Sequence, residues 1–191
     1  MFFVLLQLEI FVIMANLSIL NKEQKQIVAG LYSPDEEVVV DTLYRIREVG
    51  GEYCIAPMIE VFFTTPFANV RTEIGRVFLD LKSKKVSKQI LESLAGYMEH
   101  ELIGEFITNL WQSSVVFDDV VPFVEKFVVA DEMLALDCLS LVENNLGNIT
   151  EDSLARSREI VRSNYQSFDG MKKQLAMDLL SILESGENYE K

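Results

Sequence analysis

Apolar residues recur at helical spacing along most of this chain, and the polar residues between them mark where helices begin and end. Val39, Leu43, Ile46 and Val49 fall on one side of a 3.6-residue period. Val70, Ile74, Val77, Phe78 and Leu81 repeat that pattern further on. The first run is opened by Ser33-Pro34-Asp35-Glu36 and the second by Thr65-Pro66-Phe67-Ala68, 32 positions later. A hydroxyl residue before Pro suits a helix start, and Glu36, three after Ser33, completes a capping-box pattern. A shorter apolar helix follows each long one, Cys54 to Phe63 and then Val86 to Leu94. Gly50-Gly51 supplies the turn of the first pair.

The pattern is periodic. Ile55-Ala56-Pro57-Met58-Ile59-Glu60-Val61-Phe62 returns 65 positions on as Val120-Val121-Pro122-Phe123-Val124-Glu125-Lys126-Phe127. Glu36 to Ile46 returns 96 positions on at Glu132 to Val142, with Asp41 matching Asp137 and Leu43 matching Leu139. Leu134 to Val142 returns once more as Leu175 to Leu183. That last offset is 41, which predicts about nine extra residues in a second helix or the turn after it. The pattern predicts an all-α fold of about ten helices: 21–31, 35–49, 53–63, 67–82, 85–95, 99–112, 117–129, 131–145, 151–164 and 169–184. Pro57 and Pro122 fall near first turns, where few amides lose a partner. Apolar/polar alternation never lasts long enough for a strand reading. The expected core includes Leu43, Ile46, Ile59, Phe62, Ile74, Phe78, Leu139 and Leu180, with Leu175, Leu179 and Leu183 also inward.

Paired helices with an acidic start and an early Pro in the second helix resemble HEAT repeats. Ile55-Ala56-Pro57-Met58-Ile59 and Asn69-Val70-Arg71 carry the likeness most clearly. It covers Asn21 to about Leu183 and weakens after Met98, where Leu102-Ile103 stands in place of Val-Arg. The resemblance implies an α-α superhelix, a HEAT-like helical-hairpin solenoid whose repeats touch mainly their neighbours. It implies a binding surface and no catalytic residues. The chain reads as one repeat domain over 21–184, with a polar tail over 185–191. Met1 to Ile13 is strongly apolar but lacks a basic start and is too short to span a bilayer. A degenerate signal peptide, an extra helix over the open end of the stack, and translation from Met14 all fit it, and the Met14 start is preferred.

Candidate chemistry is sparse. His100 sits between Glu99 and Glu101, whose side chains diverge around a helix, so it reads as a solvated helix-start residue rather than a metal ligand. Cys54 and Cys138 lie apart inside apolar patterns and read as buried reduced thiols of a cytoplasmic protein. No phosphate loop, nucleophile elbow or metal motif is present in the sequence, so no catalytic, cofactor or metal residue is assigned. The net charge of −13 repels phosphate backbones and argues against nucleic acid; HEAT-like DNA-repair glycosylases have basic faces, unlike this chain. Charge is also uneven. Residues 34–64 carry seven acids and two bases, 65–97 three acids and six bases, and 98–130 six acids and one base. Lys82, Lys84, Lys85 and Lys88 supply most of the basic stretch, which serves either charge complementarity between repeats or a local anion site.

The expected activity is non-enzymatic: a monomer, not membrane-bound, that holds a protein or peptide along the second helices of its hairpins. The residues expected to line that face are Glu52, Glu60, Lys85, Lys88, Glu92, Asp119, Glu125 and Lys126. Trp111 joins them as a potential anchor near a helix end, although core or rim packing is the preferred reading of it. The alternative is an acidic inhibitor or immunity-type protein that neutralises a basic toxin or nucleic-acid enzyme.

Overall fold

The computed structural model describes residues 20–81 and 86–186, so the leader, Lys82, Lys84, Lys85 and the tail beyond Gly186 lie outside the described residues. Among the described residues ten α-helices follow in order: α1 (Lys22–Leu31), α2 (Glu36–Val49), α3 (Ile55–Thr64), α4 (Ala68–Asp80), α5 (Ser87–Leu94), α6 (Ile103–Trp111), α7 (Val121–Val129), α8 (Glu132–Asn145), α9 (Glu151–Asn164) and α10 (Gly170–Ser185). Short 3₁₀ turns occupy Glu52–Cys54, Leu146–Asn148 and Tyr165–Ser167, and no strand occurs among the described residues.

Side-chain caps set four of the described helix starts, those of α1, α2, α8 and α9. Asn21 accepts from the Gln24 amide while the Gln24 side chain accepts from the Asn21 amide, a complete capping box. Thr150 accepts from the Ser153 amide at the start of α9, as its sequence position predicts. The Ser-Pro and Thr-Pro signals act differently from expectation. Ser33 Oγ accepts from the Asp35 amide and Thr65 Oγ from the Phe67 amide, so each hydroxyl folds a tight turn before its helix. Asp35, not Ser33, then caps α2 by accepting from Glu37. The two turns nevertheless repeat the same local structure 32 residues apart.

Packing joins consecutive helices in the pairs α1–α2, α3–α4, α7–α8 and α9–α10, and joins most helices to the one two places on, α5 with α7 excepted. α2 packs on α4, α4 on α6, α6 on α8, and α8 on α10. The odd-numbered helices pair as α1 with α3, α3 with α5, and α7 with α9. One continuous apolar core runs from Ile27 to Leu183. Phe106 of α6 is its centre, with ring centroids 4.9 Å from Phe62, 5.5 Å from Phe63 and 5.1 Å from Phe78. Gly75 lets α4 approach α6, since a Cβ there would meet the Asn109 side chain at 2.8 Å.

Two helices begin later than their apolar patterns suggest. α6 starts at Ile103 because residues 95–102 form successive turns, with Tyr97, His100 and Ile103 amides each donating to a carbonyl three residues back. Tyr97 stacks on Phe63 at 4.4 Å, and Glu99 pairs with Lys126 of α7, so this stretch links α3 to α7. α7 starts at Val121 because Val115, Phe117 and Val120 enter the core on a non-helical segment. Its amides are met by side chains: Phe117 donates to Asn145 Oδ1 and Val120 to Ser153 Oγ.

The expected core is buried at Leu43, Ile46, Ile59, Phe62, Ile74, Phe78 and Leu139, but Leu180 is only half-buried. The inward row of α10 is Lys172, Ala176, Leu179 and Leu183, which leaves Leu175 and Leu180 on its flanks. Val49 is 56% exposed, because its place in the last turn of α2 puts it past the contact with α4. The extra length before the last apolar copy lies in α9, which has 14 residues against 10 in α3, and in the 3₁₀ turns on either side of it.

Candidate interaction surfaces

The sequence-predicted residues occupy several settings and do not converge on one groove. Glu52 stands on the 3₁₀ turn before α3, not on the helix. It lines a cavity of about 360 Å³ whose floor includes Ile46, Ile55, Met58 and Val77, with the Arg47–Asp80 ion pair at its rim. Glu60, on α3, accepts from the Tyr32 hydroxyl at 2.5 Å and is spent on fixing the turn after α1. Burial first, and then this carboxylate, push the Tyr32 hydroxyl far above its ordinary range, so the phenol remains a donor.

Lys88 and Glu92 lie on the exposed side of α5 and face each other at 3.8 Å. An exposed i,i+4 pair of this kind contributes only a few tenths of a kcal/mol, roughly 0.3–0.5, so both side chains stay available to a partner. Asp119 is half-buried and used twice: one oxygen accepts from the Val121 amide and from Ser153 Oγ, both at 3.0 Å. Lys126 corrects the expectation of a groove lysine. It is 9% exposed, its stem packed in the core and its ammonium 3.4 Å from Glu99. Glu125, its neighbour, is exposed. Lys85 lies outside the described residues.

Trp111 is half-buried, and its Nε1 donates to Asp137 Oδ1 at 2.9 Å. Thr108 Oγ1 donates to the other Asp137 oxygen at 2.6 Å, and Asn144 Nδ2 donates to the Trp111 carbonyl at 2.9 Å. The indole therefore clamps α6 to α8. Its polar end is occupied, and the Trp111–Asp137 link is the structural use of an aspartate that the repeat pattern had matched to Asp41.

His100 is half-buried, not a solvated residue. Its Nδ1 accepts from the Leu102 amide and its ring meets Phe63 edge-on at 5.1 Å. The two cysteines are free and fully buried. Burial pushes the Cys138 thiol up to about 12 and raises Cys54 as well, so neither is a thiolate at neutral pH. Among the described residues no group of three or more His, Cys, Asp or Glu is placed to hold a metal ion, and no helix is long and apolar enough to cross a membrane.

Sequence reasoning missed three features. Glu73 is buried on α4, one oxygen bonded to Arg76 and the other without a hydrogen-bond partner among the described residues. Lys172 is 9% exposed; its Nζ donates to the Ala130 carbonyl and lies 5.0 Å from the Phe127 ring centroid and 5.8 Å from that of Phe168. Burial lowers its pKa, and the ring faces and carbonyl oxygen keep the cation partnered. Third, Val129, Met133, Leu136 and Met171 are exposed by 68, 74, 43 and 61%. Met133 and Leu136 share a face of α8 turned away from its buried row of Ala135, Cys138, Leu139 and Val142.

No protein-family model matches the chain, and no curated protein matches it.

Proposed function

We propose that the ten helices form a short HEAT-like solenoid, an α-α superhelix, which acts as a non-enzymatic module for binding a protein or peptide along its second helices, α3, α5, α7 and α9. The observation that carries this reading is the agreement between sequence period and contact pattern. α2 and α4 start 32 residues apart, as do α3 and α5, and the α2–α3 starts recur at α8–α9 after 96 residues. Each even helix packs on the next even helix, as stacked hairpins require.

Polar links support the same arrangement at the same separation. Tyr32–Glu60, Arg47–Asp80, Lys126–Glu99, Trp111–Asp137 and Ser153–Asp119 join residues 26 to 34 apart, about one repeat in each case. Stacked hairpins present an extended surface by geometry alone, and the acid-rich charge favours a basic partner by steering. On this reading the polar side chains free for contact on the second helices include Lys88, Glu92 and Glu125.

The test is affinity capture from the native lysate with three baits: the unaltered chain, Lys88→Glu with Glu92→Lys and Glu125→Lys, and a first-helix control, Arg45→Glu. A discrete partner held by the unaltered chain and the control, and lost by the second-helix bait, is the expected result. Equal loss in both variants reduces binding to net charge and rejects this face.

A further inference from the structure

We propose that the corner where α7 ends and α8 and α10 begin is a docking site for a basic amphipathic helix of a partner protein. This inference rests on the interaction-module reading and gives it a location and a partner chemistry.

Four large apolar side chains stand in water there. Val129 closes α7, Met133 and Leu136 lie one turn apart on α8, and Met171 opens α10. Lys172 brings the segments together: its Nζ donates to the Ala130 carbonyl and lies over the rings of Phe127 and Phe168. That bond ties the first turn of α10, which carries Met171, to the end of α7. Scattered exposed apolar residues are ordinary, but four drawn from three adjoining helix ends form a patch. Two of them are methionines, whose flexible thioethers adapt to varied apolar partners.

Charge selects among the possible occupants. Glu125 lies one turn before Val129 on α7, Asp131 and Glu132 lie beside Met133, and Asp169 precedes Met171; all four are exposed. Among the described residues none of these acids is in an ion pair. Of the lysines closest in sequence, Lys173 lies over the Tyr165 ring at 5.1 Å, while Lys172 is turned inward with Asp131 and Glu132 near enough to act on its charge, and Asp131 also caps α8 by accepting from the Leu134 amide. An apolar patch whose rim holds four acids against the one inward-turned Lys172 matches a helix with apolar anchors at i, i+3 or i+4 and Lys or Arg beside them. A second copy of this chain, with a net charge of −13, meets the rim with like charge overall.

The probe is a 14-residue synthetic helix of Leu and Lys in amphipathic order, with a Leu/Glu peptide of the same order as control. Binding to the full chain is followed by fluorescence anisotropy and mapped by amide NMR shifts. The Leu/Lys peptide is expected to bind saturably, more weakly as salt rises, with shifts centred on 129–136 and 169–173. Met133→Asp with Met171→Asp is expected to weaken it at least about tenfold, since both are anchors. Glu125→Lys with Glu132→Lys is expected to weaken it and flatten the salt dependence. Both pairs are exposed, and matched thermal melts confirm that the variants fold. Unchanged affinity in the methionine variant, equal binding of the Leu/Glu peptide, or no binding of either peptide overturns the proposal. Concentration-dependent self-association abolished by the methionine variant overturns it in favour of a second copy. If native-lysate capture survives in that variant, the interaction-module reading stands and only this location falls.

Discussion

Replacing Phe106 by Ala removes the residue on which three helices converge. The ring is 1% exposed and touches Phe62 and Phe63 of α3 and Phe78 of α4 in edge or tilted geometry. Loss of a buried Phe costs about 3–5 kcal/mol in transfer and cavity terms, and each edge-to-face ring pair adds about 0.5–1.5 kcal/mol beyond area. Helices do not close easily on a hole this large, because Gly75 already brings α4 and α6 into contact at Asn109. The upper part of the range is therefore expected, about 4–5 kcal/mol. For a chain of this length the melting temperature falls about 2–4 °C per kcal/mol, or roughly 8–20 °C in all. Denaturant unfolding followed by far-UV circular dichroism gives the free energy. The position of the damage gives a second signature. Phe106 joins α6 to α3 and α4, so its loss should separate unfolding of α1–α5 from that of α6–α10 and broaden the transition. Phe127→Ala, whose ring meets only Phe168 among the described aromatic rings, should cost less and keep one transition. A loss below about 1 kcal/mol at Phe106 would refute the packing argument.

Three further outcomes follow from specific contacts. Asp137→Ala leaves Trp111 Nε1 and the Thr108 hydroxyl without their acceptor, at about 1–3 kcal/mol, and should shift the emission of the single tryptophan to the red. Unchanged emission would mean that the indole is not held at α8. Alkaline pH should destabilise the fold through Cys138. Its folded pKa of about 12 lies above the ordinary 9.0, so the unfolded chain releases the proton first and stability falls as pH rises across that window. Chemical denaturation from pH 8 upward should show a shallower fall for Cys138→Ala, and identical slopes would contradict the assignment. Lys172→Met should lose the contact with the Ala130 carbonyl and both ring faces, costing about 1–3 kcal/mol, while Lys173→Met should cost little. Equal melts for the two variants would deny Lys172 its pinning role.

Much of the architecture was legible because it depends on period. Val39, Leu43 and Ile46 face inward on the same 3.6-residue repeat that places Ala135, Leu139 and Val142 inward 96 residues later. Asn21 and Thr150 announced their helices through cap chemistry that is local to three residues. Ser33 and Thr65 marked the right places but made turns instead of caps, since a hydroxyl two residues before an amide can accept from it without any helix. Residues 112–120 were misread as partly helical because Val115, Phe117 and Val120 are apolar in either form. Distant Asn145 and Ser153, through their side chains, and Thr150, which donates to the Asp118 carbonyl, select the non-helical path. Site residues were the least legible. Composition cannot tell a solvated lysine such as Lys88 from Lys126, whose stem is buried and whose charge meets Glu99.

The central claim is that hairpins stack in one direction, and the span of the stack tests it most directly. Neighbouring packed helices lie about 8–10 Å apart, so four steps place α2 and α10 about 30–40 Å from each other. Spin labels at Tyr44→Cys on α2 and Met177→Cys on α10 occupy exposed sites, while the native Cys54 and Cys138 are buried with raised pKa values and stay unlabelled. Pulsed dipolar spectroscopy should give a single distance distribution centred in the range of about 30–40 Å set by four helix spacings. A distribution centred at or below about 20 Å, two spacings, would mean that the ends fold back on each other and would contradict the solenoid.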